Sequence, residues 1–477
     1  MVDELVEHRA GDRLEPTQEG RGDSEDRDWA PAFLRALFRA LDGAEIGWVV
    51  PRNHGDLPER AGGDVDILVH PDAAARVDGL IRALIRDRGL FLVRAGRTFE
   101  THWFYYVAAS DLGGRPFLHL DVQTALRHRG RLLVDAQDAL SHRRRAGEGL
   151  WALSPSMEAY GLLLHAALRK GVLKEKYVGR LAELEGEAPG ELPSVATERL
   201  GTSLGARLAN VRTEPELLGL RTELARALDR RYLGNLWRRP SYNVRRGIRT
   251  IFLRLRPRGL FVVFLGPDGA GKSSTTDLLV EMLGAGSNVL PVHRVYLGSG
   301  TPLLPTRKLM RRLRSKTGRR THTGEVRDIR PRRLRGALHV MVDQIVRYWL
   351  HVRPRLSPHG IVLADRYAYD VLRVNNATVR RRWFRRLAVA LIPTPDITFF
   401  LEGDPAVIAA RKNELTVAET IRQQEEYRQL AALVPGFRPL DLTDRDDATL
   451  RGVALQILEL FAARNGGSPR GAERRRA

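Results

Sequence analysis

A chain of 477 residues is too long for one ordinary hydrophobic core, so two domains plus linkers are expected. Hydrophobic content of 43% and charged content of 28% exclude a disordered chain, and the absence of cysteine excludes disulfides, thiolate metal sites and cysteine nucleophiles. The net charge of +21, from 78 Lys plus Arg against 57 Asp plus Glu, favours polyanionic partners such as nucleotides, nucleic acid or anionic membrane surfaces without choosing among them.

Residues 1–27 are polar and charged without apolar periodicity, which reads as a disordered tail and carries no signal-peptide pattern. Order is expected from Trp29, where Phe33, Leu34, Leu37, Phe38 and Leu41 recur at helical spacing. A strand-like run at 46–51 and a second strand at 65–69 follow, then a helix over 73–88. Further strands are expected near 91–93, 103–108 and 117–122. From Ser154 to about Asn235 the pattern turns helical, with Leu162, Leu163, Ala166 and Leu168 in its apolar stripe. Residues 28–235 thus read as a small α/β sheet with a helical subdomain.

Residues 236–257 are rich in arginine and read as a basic interdomain linker. Ile248, Ile251, Phe252 and Leu255 can share one helical face suited to an anionic membrane, although runs of charge more commonly mark a solvated linker helix. From Leu260 strands and helices alternate. Strands are expected at 260–265, 292–297, 361–364 and 397–401, and helices at 273–283 and from about 334, the pattern of a parallel sheet with crossover helices. Residues 258–465 form this domain and 466–477 a second tail. The longest apolar runs fall far short of the ~20 residues that span a bilayer. The reading is therefore a cytoplasmic protein with no transmembrane segment, compatible with peripheral membrane contact and with a homodimer.

Gly266-Pro267-Asp268-Gly269-Ala270-Gly271-Lys272-Ser273 fits G-x-x-x-x-G-K-[ST] between a buried strand and a helix. Its glycines let backbone N–H groups turn towards phosphate oxygens at the positive end of the helix. Lys272 can reach the β- and γ-phosphates of a nucleoside triphosphate, and the Ser273 hydroxyl can ligate Mg²⁺. The apolar strand ending Asp365-Arg366-Tyr367 places two charges at a strand's carboxyl end, where ligands bind in parallel sheets. Asp365 suits the metal shell and Arg366 a bidentate phosphate clamp. A charged helical stretch from Arg411 to Tyr427 suits a lid over the phosphates or a plain surface helix.

In that order, these motifs resemble the thymidylate kinase family over about residues 259–465. The resemblance implies a P-loop α/β sheet, with ATP and Mg²⁺ as cofactors, and transfer of a γ-phosphoryl group to an acceptor phosphate. It assigns catalytic roles to Lys272, Asp365, Arg366 and Asp268, the last near the acceptor sugar. Nucleotide contacts fall to Gly266, Asp268, Gly269, Ala270, Gly271, Lys272, Ser273, Ser274 and Arg411, and metal contacts to Ser273 and Asp365. Three departures stand out: Leu265 precedes the loop, no Arg-Glu-Pro-Gly lies near 292–300, and Asp370 replaces a common Ser. With the basic insertion over 308–335, they point to an unidentified acceptor other than thymidylate. A genuine thymidylate kinase is the first alternative. An ATP-dependent nucleic-acid-binding regulator is the second, supported by no recognised binding motif.

In the N-terminal half, Asp64 and Asp66 stand at i and i+2 as a strand begins, so both carboxylates share one face. Asp121 ends another strand, and three carboxylates on neighbouring strands can hold two Mg²⁺ ions. Residues 44–125 resemble the nucleotidyltransferase fold. That resemblance implies metal roles for Asp64, Asp66 and Asp121, with Arg52 and Asn53 standing where a Gly-Ser pair would bind the triphosphate. His119 is expected to pack within its strand, and His165, Lys170 and Lys174 in core or solvent. The fold class expected is α/β: a C-terminal P-loop parallel sheet and an N-terminal nucleotidyltransferase-like sheet with a helical subdomain. The implied task is phosphorylation, with nucleotidyl transfer by the N-terminal half, of a small metabolite or nucleotide, in a fusion of the kind associated with surface-polysaccharide pathways.

Overall fold

The computed structural model describes residues 29–61, 64–97, 102–112, 117–147, 149–284, 290–298, 334–372, 389–412, 415–443 and 446–467. The expected tail over 1–27 lies outside these residues, as do most of the basic insertion over 308–335 and most of the expected tail over 466–477.

Helix α1 (Trp29–Gly43) lays Phe33, Leu34, Leu37, Phe38 and Leu41 on the first sheet. That sheet has the order β1-β2-β5-β4-β3, with β1 Trp48–Val49, β2 Asp64–Val69, β3 Phe91–Arg97, β4 His102–Ala108 and β5 Leu118–Gln123. Strand β1 is shorter than the apolar run suggested, since only Trp48 and Val49 pair with β2. Period-two alternation divides the sheet's two faces. Val65, Ile67, Leu118, Leu120, Val122, Tyr105 and Val107 face α1 and α2 (Ala74–Asp87). The opposite face carries Asp64, Asp66, His119 and Asp121 between two apolar flanks. Leu68 joins the core of the helical subdomain, whereas Phe91, Val93 and Tyr106 join the core of the C-terminal half.

Two hairpins missed by hydrophobic pattern follow: β6 (Ala125–His128) with β7 (Arg131–Asp135), and β8 (Arg143–Arg145) with β9 (Trp151–Leu153). Helix α3 (Ala136–Ser141) lies between them. The helical subdomain then runs through α4 (Pro155–Leu164), a π-helical turn (His165–Lys170), α5 (Glu175–Glu187), α6 (Glu191–Leu200), α7 (Thr202–Ala209), α8 (Glu214–Gly219) and α9 (Arg221–Arg231). Its core includes Leu163, Leu184, Leu208, Leu217, Leu224 and Leu228. The expected basic linker over 236–257 is almost wholly helical, forming α10 (Asn235–Leu255).

The C-terminal half is a five-stranded, all-parallel sheet of order β11-β12-β10-β13-β14. Its strands are β10 (Leu260–Leu265), β11 (Val292–Tyr296), β12 (Ile361–Asp365), β13 (Ile397–Glu402) and β14 (Phe437–Asp441). Every residue of β10 and β12 is buried, as central parallel strands require. Helices α11 (Lys272–Gly284), α12 (Leu334–Arg347), α13 (Pro405–Lys412), α14 (Val417–Arg428) and α15 (Asp447–Asn465) complete the half. Phe461 and Leu458 of α15, Val262 and Phe264 of β10, and Phe91, Val93 and Tyr106 of the first sheet belong to one apolar cluster. The two halves therefore share a core, although their sheets are separate.

Candidate functional site

Strand β10 delivers the loop 266–271 to the N-terminus of α11, between the carboxyl ends of β12 and β13. The glycines have steric reasons. At Gly269 φ is +92°, and a Cβ there would lie 2.7 Å from the Ile408 carbonyl oxygen of α13. Gly266 is equally confined, its virtual Cβ 2.7 Å from the Leu401 carbonyl. Lys272 is only 6% exposed and folds back, donating from Nζ to the carbonyls of Gly266 (2.9 Å) and Pro267 (2.7 Å). Burial and the nearby Arg366 push its amine down to about 8.

The Ser273 hydroxyl donates to Asp365 Oδ2 at 2.6 Å, joining the end of β12 to the start of α11. Asp365 Oδ1 is buried and, among the described residues, has no hydrogen-bond partner. A buried carboxylate oxygen left open beside a serine hydroxyl is the donor set a divalent cation uses. Lys272 meanwhile spends its ammonium on loop carbonyls, a charge that arriving phosphate oxygens would attract. The residues thus fit Mg²⁺ and a triphosphate: Ser273 and Asp365 would hold the ion, and Lys272 with the loop N–H groups the phosphates. The bound ion would supply charge neutralisation between phosphate oxygens.

Beyond Asp365 the backbone turns sharply. Arg366 has φ of +69°, a left-handed conformation rare outside glycine, and this swings its guanidinium across the loop mouth. Arg366 pairs with Asp268 and, at 3.3 Å, with Asp370. Burial works against its charge, but Asp370 and Asp268 raise its pKa above the ordinary arginine value. Asp370 in turn accepts from the Tyr427 hydroxyl at 2.8 Å. Arg294 of β11 reaches Asp277 at 2.7 Å and stands 3.7 Å from Asp365 Oδ2, a neighbour that the sequence reading missed. Its only sequence signal was a charge on an otherwise strand-like run.

The structure therefore brings Asp268, Lys272, Ser273, Asp365 and Arg366 together. Ser274 is exposed on the first turn of α11, and Arg411 is exposed near the end of α13. The stretch read as a lid or a plain surface helix divides: α14 buries Thr420, Gln424, Glu426 and Tyr427, and Gln424 donates to the Gly403 carbonyl at 2.8 Å. It is a packed helix whose last turn supplies Tyr427 to the site.

In the N-terminal half, Asp66 and Asp121 are direct partners across the parallel β2–β5 pair, as are Asp64 and His119. The three carboxylates share a face, but they are engaged differently. Asp66 is 5% exposed and takes two bonds from Arg52, at 2.9 and 2.7 Å, and one from Gln123 at 2.7 Å. His119 lies between the other two, 3.2 Å from Asp121 and 3.9 Å from Asp64. Neither ring nitrogen makes an aligned hydrogen bond, so the attraction is between charges. Burial opposes the imidazolium, yet the two carboxylates raise it to about 9. Its ring stacks on Tyr106 at 4.4 Å.

Among the described residues, no three His, Asp or Glu side chains are grouped to hold a metal. Arg52, read as a phosphate or ribose contact, clamps Asp66 and touches His165 at 3.2 Å, whose imidazole is pushed down to about 3 by burial and by Arg52. Asn53, Lys170 and Lys174 are exposed. No helix among the described residues is long and apolar enough to cross a membrane.

The family-model match falls on the C-terminal half. Residues 264–434 match the thymidylate kinase family model. A probable thymidylate kinase of Pyrobaculum aerophilum is 26% identical over 200 residues, which is 41% of this chain and 94% of that protein. A crystal structure of thymidylate kinase from Ehrlichia chaffeensis covers 42% of this chain and 98% of its own at 20% identity, with a TM-score of 0.27. The matched stretch begins inside β10 and ends just beyond α14, so it contains the loop, Asp365, Arg366 and Tyr427. Residues 264–434 are a thymidylate kinase-like domain, and it makes this chain an ATP-dependent kinase that works with Mg²⁺.

Proposed function

We propose that this kinase transfers the γ-phosphoryl group of ATP to the phosphate of a small nucleotide-like acceptor other than thymidylate. The observation that carries this reading is the strand-end guanidinium of Arg366, facing Lys272 across the loop and held by Asp268 and Asp370. Lys272 and the N–H groups of residues 266–274 would bind the β- and γ-phosphates, with Arg411 beside them. Ser273 and Asp365 would hold Mg²⁺. Arg366 would take the acceptor phosphate, and Asp268 would lie against the acceptor's sugar.

The chemistry asks little of the protein beyond this. An acceptor phosphate is already anionic at neutral pH, so its oxygen attacks the γ-phosphorus without a general base, and the bond to the β-phosphate oxygen breaks as ADP leaves. Catalysis is then positioning and charge compensation, which Lys272 and Arg366 supply. Asp370, where the family commonly has serine, adds a carboxylate beside the clamp. An incoming phosphate must compete with two carboxylates for Arg366, which supports an acceptor pocket of different chemistry from that for thymidylate.

Arg52 and Gln123 already occupy Asp66, which weighs against a two-metal transferase role for the N-terminal carboxylates. The test is incubation of the intact chain with γ-labelled MgATP and a panel of nucleoside monophosphates and sugar phosphates. Rapid labelling of thymidylate would overturn the acceptor assignment. Pyrophosphate release abolished by Asp64→Ala or Asp66→Ala would restore the transferase reading.

A further inference from the structure

Helix α10 turns the wrong face outwards. A helix that merely joins two domains buries its apolar stripe and leaves its charges in water. Here Trp237, Val244, Ile248, Ile251, Phe252 and Leu255 are all exposed, Trp237 at 83%, Ile248 at 63% and Leu255 at 71%. At about 100° per residue these six fall within an arc of about 100°. The residues of α10 that approach the rest of the protein lie well away from that arc: Tyr242, Arg249 and Leu253 are half-buried.

The helix is held in this orientation at both ends. Near its start, a Cβ on Gly130 of the β6–β7 turn would lie 2.9 Å from the Arg238 carbonyl and 3.0 Å from Tyr242 Cβ, so the two backbones are in close contact. Near its end, Arg353 donates to the Leu255 carbonyl and Ser357 to the Leu253 carbonyl. Arg353 also stacks its guanidinium over Trp349 at 5.7 Å, and Trp349 and Leu350 are themselves exposed. A second pair of large apolar side chains therefore adjoins the stripe at its C-terminal end. With 21 residues, α10 offers a face about 31 Å long.

The helix contains six arginines and no acidic residue. Arg238 and Arg245 border the apolar arc on one side and Arg254 on the other, and all three are exposed. We propose that this face lies on an anionic lipid surface, with Trp237, Ile248, Ile251 and Leu255 entering the acyl boundary and the flanking arginines meeting lipid phosphates. Charge decides between this occupant and a second copy of the chain. Two such helices face to face would set rows of arginine against each other, whereas an anionic headgroup layer complements both borders at once. The kinase half would then be held at a membrane surface through this helix.

The experiment is co-sedimentation of the full chain with phosphatidylcholine vesicles, with and without phosphatidylglycerol, alongside its mass in solution. Binding is expected on the phosphatidylglycerol vesicles, weaker on neutral ones, and reduced by salt. Ile248→Glu combined with Ile251→Glu should lower partitioning by about tenfold or more, with MgATP binding and thermal midpoint unchanged, because both side chains face solvent. Arg245→Glu with Arg254→Glu should remove the preference for phosphatidylglycerol. Equal partitioning to both vesicle types, or to neither, would overturn the proposal. So would a dimer that the isoleucine variant splits, which would make a second copy the occupant.

Discussion

Replacing Lys272 by methionine should make the free protein more stable while disabling it. Burial and Arg366 push the amine from about 10.5 to about 8, so folding disfavours the charged form by about 3 kcal/mol at ~1.4 kcal/mol per pH unit. Methionine fills much the same volume without the charge. It also strips the Gly266 and Pro267 carbonyls of their donor, at about 1 kcal/mol each. The balance is a gain of about 1 kcal/mol, which for a unit of this size raises the thermal midpoint by about 2–4 °C. Phosphoryl transfer, deprived of its central cation, should fall by about 10²–10³-fold. Differential scanning fluorimetry with and without MgATP reads both parts. The variant should start higher than wild type and lose most of the upward shift on adding MgATP. A lower starting midpoint, or an undiminished MgATP shift, would refute the account of Lys272 as a strained, phosphate-seeking charge.

The same depressed pKa predicts proton uptake. Phosphates should return Lys272 towards its ordinary value, so MgATP binding at a pH of about 9 should take up protons and at about 6 should not; calorimetry in buffers of different ionisation enthalpy measures this. Asp365→Asn keeps an acceptor for the Ser273 hydroxyl but removes the charge, and should lower turnover by about 10²-fold or more while raising the Mg²⁺ concentration needed. An unchanged Mg²⁺ titration would remove Asp365 from the metal shell. His119 has a folded pKa of about 9, above its unfolded 6.5, so its pairing with Asp64 and Asp121 stabilises fully below about 6.5 and fades as pH rises through about 9. The midpoint difference between wild type and His119→Gln should therefore shrink across that window, and a constant difference would argue against the ion cluster.

What could be read from the sequence was what local chemistry imposes. Leu260–Leu265 is a central parallel strand, buried on both faces, so it appears as an unbroken apolar run stopped by glycine. The strand ending at Asp365 has the same character, and carboxyl-end geometry alone brought its charge towards the loop. Long-range partners left no such mark. Nothing local announces that Tyr427 reaches Asp370, or that Arg294 stands beside Asp365. Strand β14 contains Pro439 and two charged residues, tolerable only at a sheet edge, and its pattern is accordingly faint.

The period-two pattern placed Asp64 and Asp66 on one face, but it carried no information that Arg52 and Gln123 converge on Asp66. For α10, spacing identified a common apolar face while leaving its direction open. The contacts at Gly130, Arg353 and Ser357 turn that face to solvent.

The central claim is Lys272-dependent phosphoryl transfer from MgATP to an acceptor phosphate. Its most direct measurement is label transfer from γ-labelled ATP by the intact chain, beside Lys272→Met, across the same panel of nucleoside monophosphates and sugar phosphates. The account predicts a labelled acceptor other than thymidylate, and loss of that label in the variant. Transfer that survives Lys272→Met, or no acceptor in the panel gaining label, would contradict it.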